Sequence, residues 1–257
     1  MNLQQASARN QAMWANAQLR AHGVDCRYSD LLWTRWESGL AASIHHDAIT
    51  LAPETTAQRG HTVREVERFV EARGHEPLSI QDWWGELDLT PLGFEFMWNT
   101  DTEPAPYLMR PPGDPPSHST PLELTIEVVT TPEALLEFEQ ASHEGYESKR
   151  QYVPNGWHHP VSLNDPNLTY IVGRVDGKVV TTANPGISDG VNGIFGIATI
   201  PEYRRRGYGR AITWAAIEVA PHLPAVLGPS EMAEPLYRDM GFRDFTSFRM
   251  WHRPATT

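Results

Sequence analysis

The clearest pattern of hydrophobic and polar positions lies in the second half of the chain. Residues 194–200 form an almost unbroken apolar run, followed by Pro201, three consecutive arginines and two glycines spaced one apart. From residue 211 to Val219, apolar side chains recur every three to four residues. The run predicts a strand, the polar stretch predicts a tight loop, and the periodic segment predicts a helix.

The residues around this segment predict further elements. Residues 124–129 alternate between apolar and polar as a strand does, and Thr131 followed by Pro132 is a typical start of a helix. Residues 169–175 and 178–182 flank Asp176-Gly177, which is a strong hairpin signal. The second half therefore reads strand, helix, hairpin, strand, helix, strand, helix, strand.

The first half predicts a similar mixture. Helix-forming residues at 8–22 end before Gly23, and residues 61–70 place apolar side chains on one helical face. The remaining apolar runs are short, which favours strands or, at 31–36, either a strand or a core turn. These runs are 31–36, 44–51, 78–80, 95–98 and 107–111.

A proline-rich segment separates the two halves. Residues 111–121 contain too many prolines to sustain a helix or a central strand. We therefore predict a first domain at residues 1–112, a linker at 113–121 and a second domain at 122–257.

Composition narrows the class of protein. The chain has 257 residues, of which 40% are hydrophobic and 21% charged, as is typical of a folded globular protein. Its formal net charge of −11 argues against general binding to nucleic acid or to an anionic membrane. Cys26 is the only cysteine, and no apolar run reaches the length of a signal segment or a membrane span. We expect a cytoplasmic monomer or homodimer.

One local cluster raises the question of a metal site. His45, His46 and Asp47 are consecutive in a predicted strand, where successive side chains point to opposite faces. The three side chains therefore cannot easily converge on one ion. We expect no metal.

The loop after the apolar run has the residues of a phosphate site. The first turn of a helix carries backbone N–H groups without partners, and these attract anions. Gly207 and Gly209 would let the backbone close tightly on a diphosphate, and nearby arginines match phosphate geometry. Those arginines are Arg204, Arg205, Arg206 and Arg210. The third glycine of a dinucleotide fingerprint and the Gly-Lys-Ser/Thr ending of a P-loop are both missing.

The loop contains Arg204-x-x-Gly207-x-Gly209 directly after a strand. This resembles the acetyl-CoA-binding motif of the GNAT superfamily of N-acetyltransferases. Residues 230–242, which carry Tyr237 before Met240-Gly241-Phe242, resemble the C-terminal signature of the same family. The resemblance implies an α+β fold with two tandem GNAT-like domains, each a mixed central β-sheet flanked by helices.

The resemblance also implies roles for individual residues. The coenzyme would be held by the end of the central strand, where Ile197 and Thr199 offer backbone groups to the pantetheine arm, and by the loop and helix start. The full predicted coenzyme-binding set is Ile197, Ala198, Thr199, Arg204, Arg205, Arg206, Gly207, Tyr208, Gly209 and Arg210. Tyr237 is the candidate general acid for the leaving thiolate, because a phenol keeps its proton at neutral pH.

Two assignments stay open. Ser230 either orients the thioester or a water, or it is a simple helix N-cap. Many relatives use a glutamate on the central strand as general base, and residues 194–197 contain none. The segment expected to bind the acceptor contains five titratable residues, and none stands out as the base. They are His143, Glu144, Glu147, His158 and His159.

The two halves resemble each other in sequence. Pro53-Glu54 and Pro201-Glu202 each lead to an Arg-Gly pair and a helix, and each half then reaches an apolar-Gly-Phe turn. The first half has Thr62 where the second has Gly209, and Leu89 where the second has Tyr237. We therefore predict a degenerate N-terminal copy that does not bind the coenzyme and is either structural or helps shape the acceptor site.

Together these features predict an acetyl-CoA-dependent N-acetyltransferase that acts on an amine of a small molecule or peptide. One alternative is a non-catalytic acyl-CoA-binding module that senses or regulates. A second is an enzyme that uses a longer acyl-CoA or a hydroxyl acceptor.

Overall fold

A computed structural model describes residues 2–36, 46–96, 104–116 and 120–255. Contacts divide the chain into two units: residues 1–107 with 244–257, and residues 108–243. The division differs from the predicted boundary in two respects. It lies a few residues before the 113–121 segment, and the C-terminal residues belong to unit 1 because their strand pairs within its sheet. A boundary inferred from a proline-rich segment cannot show such a return of the chain.

Unit 2 is a mixed sheet with helices. Its strands are β6 (Ala105–Arg110, from Leu108 onward), β7 (Thr125–Val128), β8 (Ile171–Val175), β9 (Lys178–Ser188), β10 (Val191–Thr199) and β11 (Ala225–Leu227). They lie in the order β6-β11-β10-β9-β8-β7. β10 and β11 are parallel, whereas the other neighbours are antiparallel. The helices are α3 (Pro132–Gly145), α4 (Tyr208–Glu218) and α5 (Glu234–Asp239).

Local sequence signals explain several of these elements. The Thr131 hydroxyl accepts a hydrogen bond from the N–H of Ala134 at 3.2 Å, so α3 begins at the predicted cap. Asp176 and Gly177 both have positive φ, as the tight turn between β8 and β9 requires. The apolar face of α4 packs into a core formed with strands of the sheet; its buried residues include Ile212, Trp214 and Ile217.

Unit 1 is also a mixed sheet with helices. Its elements are α1 (Leu3–Ala21), β1 (Cys26–Tyr28), β2 (Leu32–Arg35), β3 (Ala48–Thr50), α2 (His61–Arg73), β4 (Leu78–Asp82), β5 (Glu95–Phe96) and β12 (Arg243–Arg253). The strands lie in the order β1-β2-β3-β4-β12, and β5 pairs with β12. β3 and β4 are parallel, with α2 between them along the chain.

The structure corrects some boundaries in unit 1. The first helix begins at Leu3 rather than near residue 8, because the Asn2 side chain caps it by accepting from the N–H of Gln5. The ambiguous run at 31–36 is a strand. The strand predicted at 44–51 is shorter, and residues 44, 45, 97 and 98 of the predicted runs lie outside the described part of the chain. Within the described residues, no helix is both long enough and apolar enough to cross a membrane.

Candidate functional site

The candidate site in unit 2 lies where the chain leaves β10 and enters α4. β10, α4 and the parallel strand β11 form a βαβ unit, so the loop between them lies at the carboxyl end of β10. Crevices at the carboxyl ends of parallel strands are common ligand sites in α/β structures. Three features of this region determine what it can bind: the free edge of β10, the start of α4, and the arginines of residues 204–210.

The edge of β10 is open along the second half of the strand. β11 pairs with β10 only at Asn192 and Gly193 among the described residues. On the other edge, the register with β9 shifts by one residue between Phe195 and Ala198, where Gly196 has a φ of +63°. This β-bulge bends the strand and turns its backbone groups. From Ile194 onward, β10 therefore has no strand partner on the β11 side among the described residues, and we call this stretch the open edge.

Side-chain hydrogen bonds show which backbone carbonyls near the end of β10 are already engaged. The Thr182 and Thr181 hydroxyls of β9 donate to the carbonyls of Gly196 and Ala198, at 2.9 and 2.8 Å. Backbone groups of successive strand residues point to alternate edges. The carbonyls of Gly196 and Ala198 are therefore engaged by β9, and the carbonyl of Thr199 accepts a hydrogen bond from Arg204 at 3.1 Å.

The start of α4 is a concentration of unpartnered donors. Gly207 is the N-cap with a φ of +86°, and no side chain caps the helix. The first helical hydrogen bond of α4 is donated by the N–H of Ala211 to the carbonyl of Gly207, at 3.0 Å. In the described part of the chain, the N–H groups of Tyr208, Gly209 and Arg210 have no protein partner. Such a turn is suited to an anion with several oxygens.

The glycines differ in what they require. Gly207 has the left-handed conformation that favours glycine, and its position beside Pro121 leaves limited space. Gly209 lies in the first helical turn, where an added Cβ would be 3.5 Å from the Thr199 hydroxyl and 3.7 Å from Leu236. These are ordinary contact distances, so the fold itself tolerates alanine at 209. Only a larger side chain would fill the space in front of the donors.

The four arginines occupy different environments. Arg205 is exposed, has a φ of +61°, and has no partner among the described residues. Arg206 is exposed, donates to the carbonyl of Glu202 at 3.1 Å and lies over the Tyr203 ring. Arg210 forms an ion pair with Asp239 of α5. Arg204 is held by three internal hydrogen bonds, so of the four only Arg205 has no protein partner in the described part of the chain.

The predicted coenzyme residue Tyr208 has a buried side chain. Its ring packs in a small core with Leu124 and Val180, and its hydroxyl donates to Glu123 at 2.8 Å. Tyr208 can therefore offer a ligand only its backbone N–H. Ala198 is buried, and its carbonyl is already bonded to Thr181.

Tyr237 lies on α5 and is 5% exposed. Its ring packs edge-on against Phe242, with the ring centroids 5.9 Å apart. Burial raises the pKa of its hydroxyl well above the ordinary value, and the nearby Tyr146 raises this pKa further. The hydroxyl therefore stays protonated at any physiological pH, as a proton donor must. Its role as general acid remains a prediction.

Ser230 follows β11 and is exposed. The N-cap of α5 is Ala233, without a side-chain cap, so the alternative that Ser230 caps this helix is wrong. Instead the Ser230 carbonyl accepts hydrogen bonds from the N–H groups of Ala233 and Glu234, at 3.0 and 2.9 Å. Its hydroxyl has no hydrogen-bond partner among the described residues, which leaves it free to contact a ligand.

The buried carboxylate of Glu139, which lies on α3, was not identified from the sequence. Glu139 is 1% exposed and accepts four hydrogen bonds from the segment after α3. The donors are the hydroxyl of Tyr152 at 3.2 Å and the N–H groups of Asn155, Trp157 and His158 at 2.7, 2.5 and 3.0 Å. Glu139 therefore folds residues 152–158 into place. A signal existed: an acid stands among the apolar positions 135, 138 and 141 of the buried helix face.

The candidate bases are engaged to different degrees. Glu147 is ion-paired with Arg204, and Glu144 accepts from Gln140 at 3.0 Å. His143 Nε2 is 2.8 Å from the carbonyl of Arg150, and His158 is buried against Phe138. The His159 ring nitrogen accepts from the N–H of Val161 at 3.2 Å. None of the five is placed as a general base by these contacts.

Unit 1 contains a βαβ unit of the same type, β3–α2–β4, and Gly60 at its N-cap is also left-handed, with a φ of +74°. Here, however, the first turn of the helix is occupied. The Glu54 carboxylate accepts from the N–H groups of Gly60 and Thr62 at 2.5 and 2.6 Å. Beside it is a cavity of about 400 Å³ whose charged lining residues are Glu54, Arg59, Asp82 and Glu86. Because three of these four residues are acidic, their negative charge disfavours a diphosphate in this cavity.

The residues considered for a metal have structural roles. Asp47 accepts hydrogen bonds from Arg35 and from Ser79, which places it in a buried ion-pair cluster. Burial lowers the pKa of His46 to about 4 against the opposing effect of Asp47. His45 lies outside the described residues. Among those described, no group of three or more potential ligands could hold a metal ion.

Residues 132–242 match the family model "Acetyltransferase (GNAT) family". A GCN5-related N-acetyltransferase from Kribbella flavida has a similar structure, with a TM-score of 0.64, 21% identity, and coverage of 95% of this chain and 96% of that one. A functionally unknown conserved protein from Staphylococcus epidermidis has a TM-score of 0.59 at 14% identity, covering 90% and 93%. A putative acetyltransferase of the GNAT family from Novosphingobium aromaticivorans has a TM-score of 0.55 at 16% identity, covering 97% and 99%. No curated protein matches the chain.

Proposed function

We propose, because residues 132–242 match the GNAT-family acetyltransferase model, that this domain transfers an acetyl group from acetyl-CoA to an amine of a small molecule or peptide. One observation carries the proposal: the unpartnered N–H groups at the start of α4 adjoin the open edge of β10. The first feature suits a diphosphate and the second suits an extended chain with amide groups. Coenzyme A contains both a diphosphate and an extended pantetheine arm with amide groups, and the two are covalently linked.

This arrangement supports a set of residues that would hold acetyl-CoA. The N–H groups of Tyr208, Gly209 and Arg210 would donate to the diphosphate, and Arg205 and Arg206 would add charge beside it. The backbone of Ile197 would pair with the pantetheine arm along the open edge. No metal takes part in this proposal.

Acetyl-CoA would supply a thioester carbonyl and a thiol leaving group. The chain must then hold an uncharged amine in reach and give a proton to the departing sulfur. Tyr237 is the proposed proton donor because its hydroxyl remains protonated throughout the physiological pH range. We assign no side chain as base. Glu139 already accepts four hydrogen bonds, and Glu147 is ion-paired, so neither is a good candidate.

The experiment that tests the proposal is an amine screen with thiol detection. The full chain would be incubated with acetyl-CoA and tryptamine, spermidine, kanamycin, lysine methyl ester or a short peptide, and products identified by mass spectrometry. We expect thiol release and a product heavier by one acetyl group for at least one amine. The Gly209→Glu variant is the matched control and should release no thiol. Absence of acetyl-CoA binding by the unaltered chain would overturn the proposal.

A second candidate is an acyl-CoA-binding module without turnover. The burial of Tyr237 against Phe242 favours it, because this environment also suits a purely structural tyrosine. Tight binding of acetyl-CoA without thiol release for any amine would support this candidate. Comparing the affinities of acetyl-, propionyl- and succinyl-CoA would test whether a longer acyl group is preferred.

For unit 1 we propose a degenerate copy that does not bind coenzyme. Its support is the repeated order of strand, left-handed glycine, helix and parallel strand, together with the Glu54 carboxylate at the helix start. An internal anion there would exclude a phosphate by occupying its donors. We also propose that the protein acts in the cytoplasm.

A further inference from the structure

The contacts of Arg204 differ from those of the other arginines in residues 204–210. Its Nε donates to the carbonyl of Thr199 at 3.1 Å, and Nη2 donates to the carbonyl of Gly145 at 2.8 Å. Its Nη1 donates to the carboxylate of Glu147 at 2.7 Å. Thr199 is the last residue of β10, and Gly145 is the last of α3. One guanidinium therefore joins the end of a strand to the end of a helix.

The junction between these two elements is unusually tight. A Cβ added to Gly145 would lie 2.8 Å from the Cβ of Ala198 and 3.1 Å from the N of Thr199. The end of α3 therefore rests directly on the backbone of β10, and only glycine permits this approach. The last carbonyls of a helix also lack internal partners and attract cations. Arg204 satisfies one of them.

The residues after Gly145 give the junction its importance. Tyr146 is about half exposed, faces the Trp157 ring with a centroid distance of 6.3 Å, and acts electrostatically on Tyr237. Glu147, which Arg204 also holds, has a φ of +50°. The end of α3 thus leads directly into the segment beside the proposed proton donor.

We propose that Arg204 is a positioning residue: it fixes the end of α3 against β10 and thereby holds Tyr146 and the following segment on the acceptor side of the site, without binding the coenzyme phosphates itself. This changes the role predicted for Arg204 from the sequence. The inference rests on the proposed acetyl transfer. Arg205 and Arg206, which are exposed, remain the side chains for the phosphates.

The test compares Arg204→Gln with Arg206→Gln in the full chain. Calorimetric titration with acetyl-CoA should give a dissociation constant within about twofold of the unaltered chain for Arg204→Gln, and several-fold weaker binding for Arg206→Gln. With the best amine of the screen, Arg204→Gln should lower kcat/KM for the amine by about tenfold or more. Arg204→Lys should restore part of this loss, because an ammonium can still pair with Glu147.

One further measurement tests the positioning role without an amine substrate. Hydrogen exchange of the backbone amides of residues 146–150 should accelerate in Arg204→Gln and, less strongly, in Glu147→Gln, whether or not an amine has been found. Glu133→Gln, at the other end of α3, is the matched control and should leave this exchange unchanged. Should Arg204→Gln fail to fold, Glu147→Gln carries the comparison.

The outcomes separate the two proposals. No acetyl-CoA binding by the unaltered chain defeats the proposed function. Acetyl-CoA binding that Arg204→Gln weakens as much as Arg206→Gln does, with exchange at 146–150 unchanged, defeats the positioning role alone.

Discussion

The buried carboxylate of Glu139 permits the most quantitative prediction. Replacing it with glutamine keeps the size of the side chain but leaves one acceptor oxygen instead of two. In the structure, one carboxylate oxygen accepts from Trp157 and His158, and the other accepts from Asn155 and the Tyr152 hydroxyl. The amide can serve only one of these pairs, and its NH₂ group then faces two donors.

The loss of stability expected for Glu139→Gln depends on which hydrogen bonds are lost. A buried donor left without an acceptor costs about 1–3 kcal/mol. Three of the four bonds are only partly buried, so we expect a loss of about 2 kcal/mol, the lower end for two donors. That is a substantial part of the roughly 5–15 kcal/mol by which a domain is stable. The loss falls on residues 152–158, which these bonds attach to α3.

The assay is hydrogen exchange of the amides of Asn155, Trp157 and His158, followed by urea unfolding of the full chain. A loss of about 2 kcal/mol corresponds to about a 30-fold faster exchange, since each 1.4 kcal/mol is about tenfold. Glu133→Gln on the exposed face of the same helix should change neither measurement. Exchange within about threefold of the unaltered chain in Glu139→Gln would show that the four bonds do not hold this segment.

Three more predictions concern the two helix starts and the proposed acid. The Gly209→Glu variant should not bind acetyl-CoA, and it should unfold at nearly the same urea concentration as the unaltered chain. The unaltered chain should bind one equivalent of coenzyme, because Glu54 occupies the helix start of unit 1. A second equivalent measured by calorimetry would contradict this. Tyr237→Phe should lower turnover and leave acetyl-CoA affinity nearly intact, and full turnover would mean that another group donates the proton. Burial would raise the pKa of Glu54, but hydrogen bonds from Thr62 and Gly60 outweigh it and hold the pKa below the ordinary value. Its contribution to stability is therefore present above the unfolded pKa and is lost as pH falls through the folded pKa. Glu54→Gln should lower stability at neutral pH and flatten this acid dependence, as pH-dependent urea unfolding can measure.

Much of the local structure could be predicted from the sequence because it depends on neighbours along the chain. The Thr131 cap, the Asp176-Gly177 turn and the helix after Gly207 each rest on residues within a few positions of one another. The same holds for the candidate anion site, whose donors are backbone groups of one helical turn. The boundaries of elements were predicted less accurately. The start of α1 was placed near residue 8, whereas the Asn2 cap starts the helix at Leu3.

The roles of individual side chains depended on contacts between distant residues. Arg204 was predicted from its motif to bind phosphate, yet its partners Gly145 and Glu147 lie nearly sixty positions away. Glu139 stands among apolar positions of the helix, but its partners at residues 152–158 are identified only in the folded chain. By contrast, the Glu54 carboxylate bonds to Gly60 and Thr62, only six and eight positions away, and the turn of the chain that brings them together was not apparent from the sequence.

The order of residues is sufficient to predict the loop and the helix whose first turn carries unpartnered backbone donors, because such donors need only local residues. The folded chain was needed to show that Arg204 is held by α3 and β10, that the last strand pairs within unit 1, and that Glu54 occupies the helix start there. Those outcomes depend on which backbone and side-chain groups meet when the chain folds, and the order of residues alone does not specify those contacts.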